Sequence, residues 1–337
     1  AGDCVKPTGD NTGPTGTLTD YDGPTYVPDG AVIEDKEVAG DLIVTGDNVT
    51  VHNVKVTGKV GVMESVGARL SNIETPEFFI SSAQDVVLEK SRISDSTTDS
   101  MHVTSDGTSM NRDIVIRNNL VHNPNPGPEE HYDGLQVRGV DGLDLLCNNF
   151  DLGPAQFPYN AAVYLEPANG GHRDVVVDGN WLMGGGHIFH YGAASVTPDD
   201  TRLTNNRLGG DPYWGPGAVC HNSPGVVPGV QSGNTVFGEP AAPCSVRERV
   251  DEGLGAPGVE HVRAVVAAHL PLGIRIGKGV PIAVAVDVLR NVRAGLGKRL
   301  GHGGPPARGG QWLAGKPRST CDWVWSGQRV VTTFDRV

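Results

Sequence analysis

The chain has 337 residues, of which 38% are hydrophobic and 20% charged, and its net charge is −12. This composition supports a buried core and excludes a fully disordered chain. Residues 1–244 hold 13 lysines and arginines against 32 acidic residues, whereas residues 245–337 hold 14 against 7. The acidic part disfavours nucleic acid and anionic membranes as partners, and no apolar run reaches the ~18 residues of a membrane span.

The first segment, residues 1–30, is rich in Gly, Pro, Thr and Asp. It predicts an extended N-terminal lead-in that caps the exposed edge of the structure that follows. The chain begins at Ala1 without a methionine, as a mature product does after removal of a signal peptide. We therefore expect a secreted, extracellular protein.

Between residues 31 and 244, alternating apolar residues lead into Asn or Ser eight times. The anchors are Asn53, Asn72, Ser91, Asn119, Asn149, Asn180, Asn206 and Asn234, at spacings of 19, 19, 28, 30, 31, 26 and 28 residues. Such a period with strand-like alternation is typical of coils of parallel strands that stack on one another. An inward asparagine at each bend would hydrogen-bond the coils above and below. The sequence predicts an all-β fold, a right-handed parallel β-helix, over residues 31–244, in preference to a β-sandwich.

A second set of strand-like segments follows the variable loops. The segments align as FISS from Phe79, MHVT from Met101, LQVRG from Leu135, VYLEP from Val163, FHYG from Phe189 and VCHN from Val219. Because side chains alternate across a strand, Met101, Leu135, Val163 and Phe189 should point inward. An outward column should then contain His102, Gln136, Tyr164 and His190, beside a second column of Thr104, Arg138 and Glu166. The first column would span about 14 Å, enough to hold several units of a linear polymer.

Five cysteines leave at least one outside any intramolecular pair. Cys220 and Cys244 bracket the predicted last coil, so we predict a disulfide that pins this end. Cys147 falls at an inward position, which predicts a buried and unreactive thiol. The pairing of Cys4 and Cys321 stays open.

The asparagine anchors end before residues 245–337, where the composition changes and becomes rich in Val, Ala, Arg and Gly. Two interpretations of this C-terminal extension stay open. It is either a small helical or mixed appendage that packs on the last coil, or a low-information extension such as the product of a shifted reading frame. No function is predicted for it.

Residues 5–244 resemble a group of secreted actinobacterial right-handed parallel β-helix repeat proteins of the pectate-lyase-like superfamily. The matching phrases are NTGPTGTLTDYDGP at 11–24, AVIEDKEVAGDLIVTGDNVTVHNVKV at 31–56, HYDGLQV at 131–137, NAAVYLEP at 160–167 and SGNTVFGEP at 232–240. Broader relatives include polysaccharide lyases, glycoside hydrolases and epimerases. The resemblance therefore implies carbohydrate work outside the cell, without naming the reaction. We also expect a monomer whose partner is a polysaccharide or oligosaccharide.

A lyase that acts by β-elimination on a uronic-acid polymer is the favoured reaction. It needs a base and a group that neutralises the substrate carboxylate. His102 or His190 is the candidate base, and Tyr164 is a candidate base or acid. The neutralising group is either Arg138 or a calcium ion; the candidate calcium ligands are Asp99, Asp133, Glu129 and Glu130. Further substrate contacts are predicted from Gln136, Glu166, His131, Tyr132 and His187.

Two alternatives remain at this point. A glycoside hydrolase would use Asp99 and Asp133, one coil rise of about 4.8 Å apart, near the separation of a retaining carboxylate pair. A non-catalytic module for polysaccharide binding or adhesion would use the same column as a solvated ladder. No phosphate-binding glycine loop is present in the sequence, so we expect no nucleotide cofactor.

Overall fold

The computed structural model describes residues 4–157, 159–192, 200–209, 212–215, 218–222 and 226–245, and two strands near the C-terminus. The chain divides into two units, Ala1–Val250 and Asp251–Val337. In the first unit, strands of successive coils pair in parallel. This unit is a parallel β-helix, as the repeat predicts.

Three strips of strands run along the β-helix. The first strip contains β1 (Thr19–Asp20), β3 (Val32–Val38), β5 (Thr50–Val56), β7 (Arg69–Thr75), β9 (Gln84–Glu89), β12 (Asn111–Arg117), β15 (Val140–Leu146), β18 (His172–Asp178), β21 (Thr201–Thr204) and β24 (Val230–Ser232). The second contains β10 (Arg92–Ser94), β13 (Leu120–His122), β16 (Asn149–Asp151), β19 (Trp181–Met183), β22 (Arg207–Gly209) and β25 (Thr235–Val236), closed by antiparallel β26 (Glu239–Pro240). The third contains β2 (Tyr26–Val27), β4 (Leu42–Val44), β6 (Lys59–Met63), β8 (Glu77–Ser81), β11 (Met101–Thr104), β14 (Tyr132–Arg138), β17 (Tyr159–Leu165), β20 (His187–Tyr191) and β23 (Cys220–Asn222).

The core consists of stacked aliphatic side chains from alternate strand positions. Ile114 pairs with Val86 on one side and with Leu143 on the other, and Leu143 pairs with Val175. All four are at most 1% exposed. Each contributes about 1.5–3 kcal/mol through burial, so the inward rows hold successive coils in register.

A ladder of side-chain amides follows the bend between the first and second strips. Asn119, Asn148, Asn180, Asn206 and Asn234 each accept a hydrogen bond, at 2.8–3.0 Å, from the backbone N–H of the ladder residue one coil before. Each of these amides also donates to a backbone carbonyl of the preceding coil. The ladder therefore satisfies the backbone groups that the bend would otherwise leave unpaired.

Three of the eight predicted anchors lie outside this ladder. Asn148 occupies the place that the repeat assigned to Asn149, which instead begins β16. Asn53 and Asn72 lie at the bend itself, with φ angles of 56° and 54°. Asparagine tolerates this left-handed conformation better than most residues. It therefore recurs at the bend for two reasons: its side chain forms the ladder in some coils, and its backbone adopts a positive φ in others. The spacing of the repeat does not distinguish them.

An N-terminal strap, defined here as residues 4–16, crosses several coils along this bend. Near its end, Thr15 donates its backbone N–H to Asn53 at 2.7 Å, and Gly13 accepts a hydrogen bond from Asn72 at 3.1 Å. Near its start, the carbonyl of Pro7 accepts a hydrogen bond from Asn149 at 2.9 Å. The predicted lead-in thus has two parts, because β1 and β2 pair with the first coil while the strap runs along the bend.

Two disulfides connect parts of the first unit. Cys220 pairs with Cys244 across the last coil, at the place the sequence predicts. Cys4 pairs with Cys147, so the prediction of a buried free thiol at Cys147 is wrong. Cys147 has a φ of 55° at the bend, which turns its side chain toward the strap. The inward position between Ile116 and Val177 belongs to Leu145.

The second unit is described only in two strands, β27 (Arg318–Trp325) and β28 (Gln328–Asp335), which pair antiparallel. The choice between an appendage and a low-information extension lies outside the described residues. In the part of the chain that the structure describes, no helix is long and apolar enough to span a bilayer.

Candidate functional site

An outward column of side chains follows the third strip. Its members, one from each coil, are Phe79, His102, Gln136, Tyr164, His190 and His221. The register places the four middle residues level with one another, as the alternation of the sequence predicts. Six positions at strand spacing extend about 24 Å. The predicted alignment is wrong by one residue at both ends. Phe79 pairs with His102 and not with Met101. At the other end, Phe189 pairs with Cys220 and not with Val219.

A carboxylate holds the imidazole of His102. The Nε2 atom of His102 lies 2.9 Å from Oδ2 of Asp99, in the turn just before β11. The other oxygen of Asp99 accepts the backbone N–H of Asp133 at 2.5 Å. The side chain of Asp99 is only 10% exposed, whereas that of His102 is 36% exposed. The imidazole is thus held in one orientation by Asp99 and partly exposed on the outer face of the third strip, where a ligand can reach it.

Asp133 lies beneath this pair and has no exposed surface. Its Oδ1 accepts a hydrogen bond from Asn160 at 2.8 Å, while its buried Oδ2 has no hydrogen-bond partner in the described part of the chain. Burial, and then the charge of Asp99, raise the pKa of Asp133 well above its usual value. A carboxyl group with no exposed surface cannot contact a polymer on this face of the β-helix. The predicted catalytic and ligand-binding placement of Asp133 is therefore not what the structure shows.

Tyr132 is also buried rather than available to substrate. Its hydroxyl lies 2.8 Å from the hydroxyl of Ser100, and its ring packs 5.0 Å from that of Tyr159. Burial raises the pKa of the Tyr132 hydroxyl above its usual value. The predicted substrate contact by Tyr132 is therefore corrected to a structural role under the site.

Arg138 lies one coil from His102 and two residues along the strand, level with Thr104. Its guanidinium donates to Oε1 of Gln136 at 2.7 Å and lies 3.6 Å from Oε2 of Glu166. In the predicted second column, the cation Arg138 therefore already has an acidic neighbour, Glu166. Its Nε atom is buried and has no hydrogen-bond partner among the described residues.

Imidazoles and one phenol form the far end of the column. The rings of Tyr164 and His190 stack with centroids 4.0 Å apart, and the rings of His187 and His221 lie 5.4 Å and 4.5 Å from that of His190. Burial, and then the neighbouring imidazoles, lower the pKa of His190 to about 3. His190 is therefore a weak base at neutral pH. Burial and Glu166 raise the pKa of Tyr164, which keeps its hydroxyl protonated.

The predicted calcium ligands do not come together. Glu129 is exposed and Glu130 is half-buried on the loop before β14, and both oxygens of Asp99 are already hydrogen-bonded or ion-paired. The predicted substrate contact His131 is exposed on the same loop. Among the residues that the structure describes, no group of three or more His, Cys, Asp or Glu side chains is placed to hold a metal ion. Asp99, Asp133, Glu129 and Glu130 thus do not fit a calcium site in this conformation.

A cavity of about 180 Å³ opens beside His102, at the near end of the column. Its walls are Lys59, Glu77, Phe78, Phe79, Thr98 and Asp99. The sequence does not predict this cavity, because the alignment of the strands sets Phe79 level with Met101 rather than with His102. A larger cavity of about 510 Å³ lies against the strap, but Lys90 is the one charged residue of its lining in the described part. The smaller cavity is the one that adjoins the ordered imidazole.

Comparisons with known proteins give distant likenesses only. No family model matches the chain, and no curated protein matches it. Two similar solved structures are the A-module of a mannuronan C-5 epimerase from Azotobacter vinelandii (11% identity, 63% of this chain and 73% of that chain, TM-score 0.30) and a tailspike double mutant of the E. coli bacteriophage HK620 (14%, 63% and 43%, 0.30). A third is HetL, a pentapeptide repeat protein from a Nostoc cyanobacterium (10%, 63% and 92%, 0.17). This chain spans less than half the length of the tailspike, and likenesses of this size carry no argument about function.

Proposed function

We propose that the β-helix binds an extended polysaccharide along the outward column and cleaves it by β-elimination next to a uronic-acid residue. One observation carries the proposal: the Asp99 carboxylate holds His102 at 2.9 Å, with the imidazole accessible at the groove and Arg138 one coil away. A base held in one orientation by a buried partner is typical of proton abstraction.

The reaction needs few groups. Nδ1 of His102 takes the proton from the carbon α to the uronate carboxylate. The released electron pair forms a carbon–carbon double bond, the bond from the adjacent carbon to the leaving oxygen breaks, and that oxygen takes a proton from water. Arg138 stabilises the carboxylate as charge develops on it. Tyr164 lies two coils from His102, about 9.6 Å away, which suits a contact with a neighbouring sugar better than the reacting bond.

The two cystine bridges support an extracellular location for this activity. Disulfides persist in oxidising compartments and are rare in the reducing cytosol. The first unit contains Cys4–Cys147 and Cys220–Cys244. We therefore propose a secreted protein that acts on the polymer as a monomer.

The glycoside hydrolase alternative receives less support from the geometry. A retaining or inverting hydrolase needs two carboxyl groups that both reach the scissile bond. Asp99 is nearly buried and Asp133 has no exposed surface, so the two do not flank an open groove.

A non-catalytic binding module remains the second candidate. The observation that favours it is the contact between Arg138 and Glu166, at 3.6 Å, which offsets the cation that elimination would use. In that case the column would bind the polymer, and His102 would act as a hydrogen-bond partner.

The proposal is tested by incubating the full chain with polygalacturonate, alginate, a polymer that alternates galacturonate with rhamnose, and neutral β-glucans, with and without a chelator. Elimination yields an unsaturated sugar that absorbs in the near ultraviolet, whereas hydrolysis yields reducing ends alone. The variant His102→Ala should lower the rate roughly 10²–10⁴-fold. The matched control is His52→Ala, since His52 is exposed on the first strip and contacts Ser71. Retained turnover in His102→Ala would refute the assigned base, and polymer binding without any product would favour the binding module.

A further inference from the structure

The cavity beside His102 contains an aromatic ring that lies over a glycine. Phe79 is level with Gly61 on the coil before it and with His102 on the coil after it. A Cβ atom added to Gly61 would lie 2.2 Å from Cζ of Phe79. The ring therefore covers the backbone of Gly61, a position that any other residue would obstruct.

Phe79 is half-buried, whereas its neighbour Phe78 is 1% exposed and belongs to the core. Since one side of the Phe79 ring rests on the sheet, its remaining surface faces the cavity. Binding sites for small molecules typically combine such an apolar or aromatic surface with a few polar groups. A pyranose ring, which has apolar C–H patches on its faces and hydroxyl groups at its edge, matches that combination.

The charged groups of the cavity are paired with one another or with a neighbour. Glu77 accepts a hydrogen bond from Thr98 at 3.0 Å and lies 3.6 Å from Nζ of Lys59. Asp99 lines the side next to His102. Lys59 offsets the charge of Glu77, and His102 holds Asp99 at 2.9 Å, so the cavity has no excess positive charge with which to bind a sugar carboxylate. Its carboxylate oxygens can still accept hydrogen bonds from sugar hydroxyl groups.

A positive charge, the guanidinium of Arg138, lies on the side of His102 that faces away from the cavity. Arg138 lies one coil further from Phe79, in the second column beside Gln136. A polymer that follows the column would thus place one sugar on Phe79 and a second sugar near Arg138, with His102 between them.

We infer that the cavity formed by Phe79, Gly61, Glu77 and Lys59 is a subsite for a neutral pyranose residue. The inference rests on the proposed function and names its substrate class: a heteropolysaccharide in which a neutral sugar adjoins the uronic acid, rather than a homopolymer of uronic acid. Phe79 supplies the stacking surface, and Glu77 accepts hydrogen bonds from the sugar hydroxyls.

Two hexasaccharide probes test this by calorimetric titration of the full chain. One contains galacturonate alone, and the other alternates galacturonate with rhamnose. The wild-type protein should bind the alternating probe more tightly. Phe79→Ala should weaken that binding about tenfold, and Gly61→Ala should weaken it similarly by displacing the ring. Phe157→Ala is the matched control, since Phe157 is 64% exposed and lies outside the column.

Glu77→Gln tests the charge assignment. It should tighten binding of the galacturonate probe severalfold, because a negative charge is removed, without improving binding of the alternating probe.

Equal affinity of the wild type for both probes would overturn the neutral-sugar assignment. Unchanged affinity in both Phe79→Ala and Gly61→Ala, or no binding of either probe, would overturn the subsite. Failure of the proposed function is separately visible: Phe79-dependent binding without any unsaturated product would leave the subsite standing and refute the elimination.

Discussion

The bend that carries the asparagine ladder and the face that carries the outward column use polar groups in opposite ways. At the bend, each ladder amide from Asn119 to Asn206 both accepts from one coil and donates to another, and the strap adds further bonds. On the column face, buried polar atoms without a hydrogen-bond partner in the described part include Thr104 Oγ1, Arg138 Nε and His190 Nδ1. Fully satisfied networks stabilise a fold, whereas unsatisfied groups at one face leave bonding capacity for a ligand.

The largest expected effect comes from breaking the ladder. Asn180→Ala removes the acceptor for the Asn148 backbone and the donor to the carbonyl of Leu145. Leaving those buried groups unpaired should lower the free energy of unfolding by about 3–5 kcal/mol. Thermal and urea unfolding of the full chain measure it, and oligosaccharide affinity of the folded protein should stay unchanged. A loss below about 1 kcal/mol would mean that the ladder is not a stabilising element.

The strap should come next. Replacing both Cys4 and Cys147 by Ser opens a loop with a sequence separation of 143, whereas the pair Cys220 and Cys244 closes one of 24. A disulfide typically contributes about 2–4 kcal/mol, and loop-closure entropy makes the loss about 1.5 kcal/mol larger for the first pair than for the second. Urea unfolding of the two double variants compares them. The reverse order would show that the strap is held by its hydrogen bonds rather than by the crosslink.

Asp133→Asn should stabilise the protein, in contrast to the ladder variant. Because the pKa of Asp133 is raised in the folded state, the unfolded state loses its proton first as the pH rises. The wild type therefore loses stability between the unfolded and the folded pKa, and the neutral amide does not. The melting temperature of the variant should exceed that of the wild type by a few degrees at neutral pH, and the gap should close in acid. A destabilised variant with equal loss at every pH would contradict this.

At neutral pH, the smallest effect is expected at His190. Its pKa of about 3 in the folded state lies below the usual value near 6.5, so the unfolded state binds the proton first as the pH falls. Stability of the wild type should therefore decrease as the pH drops from about 6.5 toward 3. His190→Phe should flatten that part of the profile while preserving the ring stack on Tyr164. An unchanged acid slope would show that His190 does not titrate in this way.

Much of the fold was predictable because alternation and period are properties of the sequence. The four middle residues of the column followed from the inward positions of Met101, Leu135, Val163 and Phe189. The same parity could have placed Asp133 inward, since it shares the face of Leu135 and Val137 along β14. Tyr132 does not follow this parity, because the register shifts between Tyr132 and Asp133. An irregularity of that kind leaves no periodic signal.

The contacts at the bend and the contact that holds His102 could not be predicted from the sequence. Asn149 and Asn148 are adjacent, and only hydrogen bonding to Asn119 and Asn180 shows which one belongs to the ladder. The link between Cys4 and Cys147 depends on the course of the strap, which has no repeat. The Asp99–His102 contact depends on a turn whose geometry no spacing specifies.

The most direct test of the column as the polymer-binding face is a crystal structure of His102→Gln with the alternating hexasaccharide. We expect sugar rings along the third strip, one of them on Phe79, and a uronate carboxylate near Arg138. A ligand seated against the strap, or on the first strip around His52, would contradict it.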